Sequence, residues 1–405
     1  MNTSILNSNN KIIYILLGSL VIKFLILSVL GSQPLLDGQW YINIASKIWE
    51  SGFLFPNNEL RDAPGTPYFY ALFYPLYKLI GMNAYAIGNI IISTCSIYIF
   101  YKISFVIFEN IKIANLVALI SCLYPFFNFY AISILSESAY IFFLYLSFFC
   151  LIKYFKTLQL KYLIFFTVFF ALDTLIRFTN LPMYVFFLLL TIYITKDKQN
   201  YICITKSILI SCFFFILVMS IWWIRNYNVF NEFVPTSVGE SGKVFFIGNN
   251  AFNKTGGGIG GVDVKYEDLI RFKEIKDLRK RDKAMWNEGI KWIKDNPKDW
   301  IVLEFKKIVR FFSPIFFADK FNKWYYNIIS LLSYGVIFLF FIFSLFKLKN
   351  YFWLYSPMFL YLVLLTGVHL VFIASIRYRI PIEPFMIILA SPIILKLYEK
   401  YEKTN

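Results

Sequence analysis

The sequence is short of charge and of histidine. Asp, Glu, Lys and Arg make up only 16% of its 405 residues, against about 25% in an average soluble domain. A chain that is 59% hydrophobic and 21% aromatic has more Phe and Tyr than a water-soluble core of this length can hide. His369 is the only histidine and lies within an apolar run, so a structural role fits it better than a metal site shared with other imidazoles. Cysteine is sparse too. Cys95, Cys122, Cys150, Cys203 and Cys212 lie in or beside apolar segments without CxxC spacing, which gives no disulfide framework and no zinc site. The N-terminus has neither an Arg/Lys cluster nor a small-residue cleavage site, so its apolar run reads as a retained span rather than a signal peptide. No internal repeat appears.

What the chain does have is long apolar runs. Stretches of the length that crosses roughly 30 Å of hydrocarbon fall at 11–30, 84–107, 112–132, 136–155, 161–178, 180–196, 204–224, 325–346, 352–373 and 379–397. The expected fold class is an all-α polytopic membrane protein with about ten transmembrane helices. The net charge of +16 would suggest nucleic acid in a soluble protein. Here the lysines sit in short connections between apolar runs, which is what membrane orientation produces. Lys102 with Lys112, Lys153 with Lys156 and Lys161, Lys196 with Lys198 and Lys206, Lys347 with Lys349, and Lys396 with Lys400 and Lys403 alternate with lysine-poor connections. These groups are expected in the cytoplasm, with both termini, in a cytoplasmic (inner) membrane. Residues 31–83, the turn 132–136 and 225–324 then lie outside.

Counting the short apolar segment 64–81 as a span would invert every later loop, so it is expected to be an interfacial or re-entrant helix. Residues 225–324 read as an extracytoplasmic, mostly helical insert. One charged helix is expected over 266–295, and a second follows Asn296-Pro297 to about residue 312. The Gly-rich run 256–261 follows no strand and opens no clear helix, so it reads as a loop rather than a phosphate cradle. The chain thus divides into 1–224, 225–324 and 325–405.

Charges in the spans and at their ends are rare, and each asks for a reason. Asp37, Glu137, Arg177, Arg225, Arg377, Arg379 and Glu383 gather at the expected outer face. Asp37 is a carboxylate able to serve as a general base or a metal ligand. Glu137, after Ser136, fits a capped helix start as well as a buried functional acid. Arg377 and Arg379 form a two-arginine turn whose guanidinium groups can grip a phosphate or snorkel to lipid headgroups.

Taken in order, several short motifs resemble the GT-C superfamily of membrane glycosyltransferases, in particular the polyprenyl-phosphate-sugar-dependent group related to protein mannosyltransferases and aminoarabinose transferases. They are Asp37 with Tyr41 and Ala45, Pro64-Gly65-Thr66-Pro67-Tyr68, Ser136-Glu137-Ser138, Arg177 with Pro182, Trp223-Ile224-Arg225-Asn226-Tyr227, Gly248-Asn249-Asn250 and Arg377-Tyr378-Arg379-Ile380-Pro381. The family pattern has seven spans in a shared module, and this chain supplies seven before the insert.

The resemblance implies transfer of a sugar from a polyprenyl-phosphate donor to a glycan, lipid or protein acceptor at the outer face, in contact with membrane lipid and without nucleic acid. It implies Asp37 as the base, with Glu137 assisting or binding a divalent cation (Mg or Mn) together with Asp37. Arg377 and Arg379, with Arg225 in reserve, would hold the donor phosphate, and Tyr41, Arg177 and Asn249 would line the substrate site. Two departures stand out: residue 38 is Gly where relatives often carry a second acid, and the outer loop has no histidine. A lipid-linked glycan flippase or other transporter is the alternative, but it would place polar residues near the midplane and often show repeats. A glycan polymerase or ligase of another membrane fold is a second alternative, which the early Asp37 loop disfavours.

Overall fold

The computed structural model describes residues 3–32, 34–35, 37–57, 62–317 and 322–404, so parts of 31–83 and 225–324 lie outside the described residues. Regular structure among these residues is helical, apart from isolated bridges at Pro34–Ile134 and Gly260–Val264. The helices up to the insert are α1 (Thr3–Leu30), α2 (Gly38–Glu50), α3 (Gly65–Ala71), α4 (Tyr74–Ile80), α5 (Asn83–Phe108), α6 (Ile111–Leu123), α7 (Pro125–Ile132), α8 (Glu137–Thr157), α9 (Leu160–Ile176), α10 (Met183–Thr195) and α11 (Tyr201–Phe230). The insert holds α12 (Ser241–Gly248), α13 (Tyr266–Lys273), α14 (Leu278–Asp295) and α15 (Pro297–Phe312). Then follow α16 (Trp324–Ser330), α17 (Val336–Lys347), α18 (Phe352–Val371), the one-turn α19 (Ile376–Arg379) and α20 (Glu383–Thr404).

Among the described residues, seven helical stretches are long and apolar enough to cross a membrane, and eight if the bent pair α6–α7 counts as one span. That is fewer than the ten expected. The segments 161–178 and 180–196 form α9 and α10, of 17 and 13 residues, because the chain turns between them at Arg177–Pro182. The expected span 112–132 bends by 54° at Tyr124–Pro125, since Pro125 has no N–H to continue the ladder. Pro75 likewise divides 64–81 into α3 and α4. The expected single helix 266–295 is two, because the Asp277 side chain caps a new start by accepting from the N–H groups of Arg279 and Lys280.

The bundle is built around α8, which packs between α5 and α9. Leu144, Phe148, Leu151 and Ile152 on α8 are fully buried. In lipid such residues gain close packing rather than escape from water, and hydroxyl pairs supply interhelical bonds. Ser211 on α11 meets both Thr167 of α9, at 2.5 Å, and Tyr184 of α10, at 2.7 Å.

The lysine-rich connections meet at one end of this bundle. Lys112 pairs with Glu399 and Lys156 with Glu109, Lys198 lies over the ring of Trp353, and Phe108 packs on Tyr351. The insert docks at the opposite end. The amide of Asn249 donates to Val371 O, Ala374 N donates to Gly256 O, and Lys307 Nζ donates to Leu370 O. Helix α15 buries a mixed face, Leu303 and Phe311 with Lys307 and Arg310, and leaves an apolar stripe outside. Ile301, Val302, Phe305 and Val309 are exposed, Phe305 by 69%, while Lys307 and Arg310 are buried against the Gly-rich loop. There Gly256 and Gly257 leave no room for a Cβ beside those two side chains.

Candidate active site

The turn before α8 sets the position of Glu137. Its carbonyls would be unsatisfied in an apolar setting, and side chains from two other helices satisfy them. Tyr70 of α3 donates to Leu135 O at 2.7 Å, and Asn89 of α5 donates to Ser133 O at 2.7 Å. Gly38, the first residue of α2, comes so close to this turn that a Cβ would lie 2.3 Å from Ile134 O. The missing second acid is thereby explained: any side chain at position 38 would collide with the turn that presents Glu137. Gly65 brings α3 equally close to the end of α9, where a Cβ would meet Ile176 and Leu175 O.

Four charged side chains from four distant segments converge here. Arg177 Nη2 donates to Glu137 Oε1 at 2.7 Å, and its Nε and Nη2 also donate to Ser136 Oγ. Arg377 Nε donates to the same Glu137 oxygen, and Arg377 Nη1 reaches Asp37 Oδ2 at 3.4 Å. Ser136 thus serves Arg177 and makes no side-chain cap to α8. Each arginine is held from behind. Arg177 stacks over Tyr140, whose hydroxyl donates to Asn180, and Asn180 donates in turn to Asp173. The turn carrying Arg377 is pinned by Ser375, which accepts from Arg377 N, and by His369, which bonds Ile373 O and stacks on Tyr378. The lone histidine is therefore a packing residue.

Burial differs sharply between the two acids. The Glu137 side chain is fully buried, while Asp37 keeps 31% exposure. Among the described residues, Glu137 Oε2 has no hydrogen-bond partner. Tyr41 packs on Tyr70 within the α2–α3 cluster. Burial, reinforced by the carboxylates of Asp62 and Asp37, raises its hydroxyl above the ordinary range, so it stays a neutral donor. Asp62 is an acid that motif reading passed over, although it stands two residues before Pro64-Gly65-Thr66-Pro67.

The other expected site residues lie elsewhere. Arg379, fully buried, pairs with Glu383 at 2.7 Å and donates to Ser313 O and Phe311 O, the free carbonyls at the end of α15. Arg225 donates to Pro56 O at 2.6 Å and lies over the rings of Phe55 and Trp222. Asn249 spends its amide on Phe245 O and Val371 O and accepts from Lys307.

Among the described residues, Asp37 and Glu137 do not form a divalent-cation site. Asp37 and Glu137 both face Arg377, which already supplies positive charge between them, and no group of three or more His, Cys, Asp or Glu side chains gathers among the described residues.

No protein-family model matches the sequence, and no curated protein is similar to it. Solved structures share its fold, two of them oligosaccharyltransferases. One is the archaeal oligosaccharyltransferase AglB from Archaeoglobus fulgidus in complex with an inhibitory peptide and a dolichol-phosphate, at 10% identity and TM-score 0.56. The other is the Archaeoglobus fulgidus oligosaccharyltransferase in the apo form, at 11% identity and TM-score 0.58. Each match covers 98% of this chain and 52% of the other, so this chain spans about half the length of those proteins. The likeness is one of fold, shared along nearly the whole of this chain.

Proposed function

We propose that the protein is a glycosyltransferase that moves a sugar from a polyprenyl-phosphate-linked donor to a glycolipid, polysaccharide or protein acceptor at the outer face of the membrane. The observation that carries this reading is the convergence of Asp37, Glu137, Arg177 and Arg377 at the end of the bundle remote from the lysine-rich connections. By the positive-inside rule the lysine end faces the cytoplasm, which turns the carboxylate–arginine cluster outward. The likeness to a protein solved with a dolichol-phosphate supports a lipid-phosphate donor.

The geometry supports distinct tasks for these residues. Asp37, the more accessible acid, takes the proton from the acceptor hydroxyl. The acceptor oxygen then bonds to the anomeric carbon as the bond from that carbon to the phosphate oxygen breaks, and the phosphate leaves with the bonding pair. The bonds described above use Nε and Nη1 of Arg377 and Nε and Nη2 of Arg177. Arg377 Nη2 and Arg177 Nη1 remain to meet the departing phosphate. Glu137, out of reach of solvent, anchors both guanidinium groups. Arg379 works at a distance from chemistry, as the tie between α15 and α20.

The test is sugar transfer by purified protein from a panel of radiolabelled polyprenyl-phosphate sugars to envelope extract. Transfer from one donor that disappears in a folded Asp37→Asn protein supports the reading and names the sugar. Undiminished transfer by that variant overturns the role of Asp37. Movement of lipid-linked glycan across proteoliposomes, without transfer, would replace the enzyme reading with the flippase one.

A further inference from the structure

The insert contains a cleft of about 380 Å³ that the site above does not use. Lys265, just ahead of α13, and Asp268 and Arg271 on it form one wall, Glu288 and Trp292 on α14 form the other, and Phe252 closes one side. The volume lies within the roughly 300–1,000 Å³ typical of small-molecule sites. Arg271 stands between the two carboxylates, 3.3 Å from Glu288 and 3.9 Å from Asp268, and Lys265 lies over the Phe252 ring. Beneath them Asn250 is buried, donating to Phe246 O, Ile247 O and Asp263 O and accepting from Phe252 N and Asn253 N, so the floor is rigid.

Two cations face two anions, so the lining has no net charge to attract a nucleotide or another polyanion. Each ion pair engages one oxygen of its carboxylate, and the other oxygen can accept from a ligand hydroxyl. Aromatic faces beside such a mixed set of donors and acceptors suit a ligand with many hydroxyls and an apolar C–H face. We propose that this cleft binds a short saccharide, its C–H face on Trp292 and its hydroxyls on Asp268, Glu288 and Arg271. The identification of that saccharide as part of the acceptor or of the transferred glycan rests on the glycosyltransferase reading, whereas the binding itself does not. The cleft is joined to the site through α12. Asn249, next to Asn250, bonds Val371 O, ahead of the turn that carries Arg377.

The experiment is saturation-transfer NMR on the full-length protein in detergent, with methyl glycosides of glucose, galactose, mannose and N-acetylglucosamine as probes. At least one should bind, and Trp292→Ala should weaken it at least about tenfold, in line with the loss of an aromatic anchor. Glu288→Gln and Asp268→Asn, which keep the shape of the cleft, should each weaken it as well, with unchanged thermal unfolding. Arg377→Ala should bind the glycoside as wild type does while losing transfer. The inference is overturned if none of the four binds at millimolar concentration, or if all three cleft variants bind like wild type. Binding that responds to Trp292 in a protein inactive with every donor would keep the cleft and remove the transferase reading; transfer without such binding would do the reverse.

Discussion

Neutralising the two acids of the cluster one at a time should separate folding from chemistry, because the same loss of charge falls in two different surroundings. Glu137 is fully buried and its Oε1 receives both Arg177 and Arg377. Glu137→Gln would leave two guanidinium groups facing each other without the carboxylate that holds them. Breaking a buried ion pair by removing one partner costs about 3–5 kcal/mol. Asp37 is 31% exposed and meets Arg377 through one oxygen at 3.4 Å, and a pair so placed is screened and contributes about 1 kcal/mol or less. The assay is reversible unfolding in mixed micelles followed by tryptophan fluorescence, with sugar transfer measured on the same preparations. Asp37→Asn should unfold within about 1 kcal/mol of wild type yet lose transfer by the factor of about 10²–10⁴ that a general base supplies. Glu137→Gln should lose about 3–5 kcal/mol of stability. A Glu137→Gln protein as stable as wild type would refute the anchoring role, and equal destabilisation by both substitutions would refute the distinction drawn from their burial.

Other expectations follow from the same geometry. Arg377→Ala should weaken binding of the polyprenyl-phosphate donor, whereas Lys347→Ala, at the other end of the bundle, should leave it unchanged; equal losses in a donor-binding assay would sink the assignment. Gly38→Asp, which adds a second acid beside Asp37, should destabilise by roughly 1–3 kcal/mol through overpacking against Ile134 O, read by the same unfolding assay. Arg379→Leu or Glu383→Leu alone should each cost about 3–5 kcal/mol, while the double substitution should recover only part of that loss, since the apolar pair removes the buried charges but leaves Phe311 O and Ser313 O without their donor. Ser51→Cys in intact cells should react with a membrane-impermeant thiol reagent, and labelling only after lysis would reverse the proposed orientation.

Much of the candidate site was legible in the sequence, because charge at the end of an apolar span is costly and so stands out. Asp37, Glu137, Arg177 and Arg377 were all visible in this way, and the structure brings them together. What a linear motif hides is direction. Arg377 and Arg379 are two residues apart on one helical turn, so their side chains leave it toward nearly opposite sides. One reaches Glu137 and the other α15 and Glu383. Asn249 looked like a substrate ligand, yet backbone carbonyls in an apolar environment claim its amide. The span count was less legible, because composition does not distinguish 17 residues ending in a turn from a full crossing. Only Pro125 and Pro182 marked where the helices would stop or bend.

The apolar stripe of α15 bears on how this protein can be taken apart. A division at 224 and 324 looks natural from composition, but hydrogen bonds cross it repeatedly: Asn249 to Val371, Gly256 to Ala374, Lys307 to Leu370, and Arg379 to the last carbonyls of α15. Excised along that division, the insert would lose the residue that caps its final helix while keeping its exposed stripe of Ile301, Val302, Phe305 and Val309. It would precipitate instead of folding as a soluble unit. The inheritable module is the insert together with 369–383, so chimaeras should exchange the two segments as a pair.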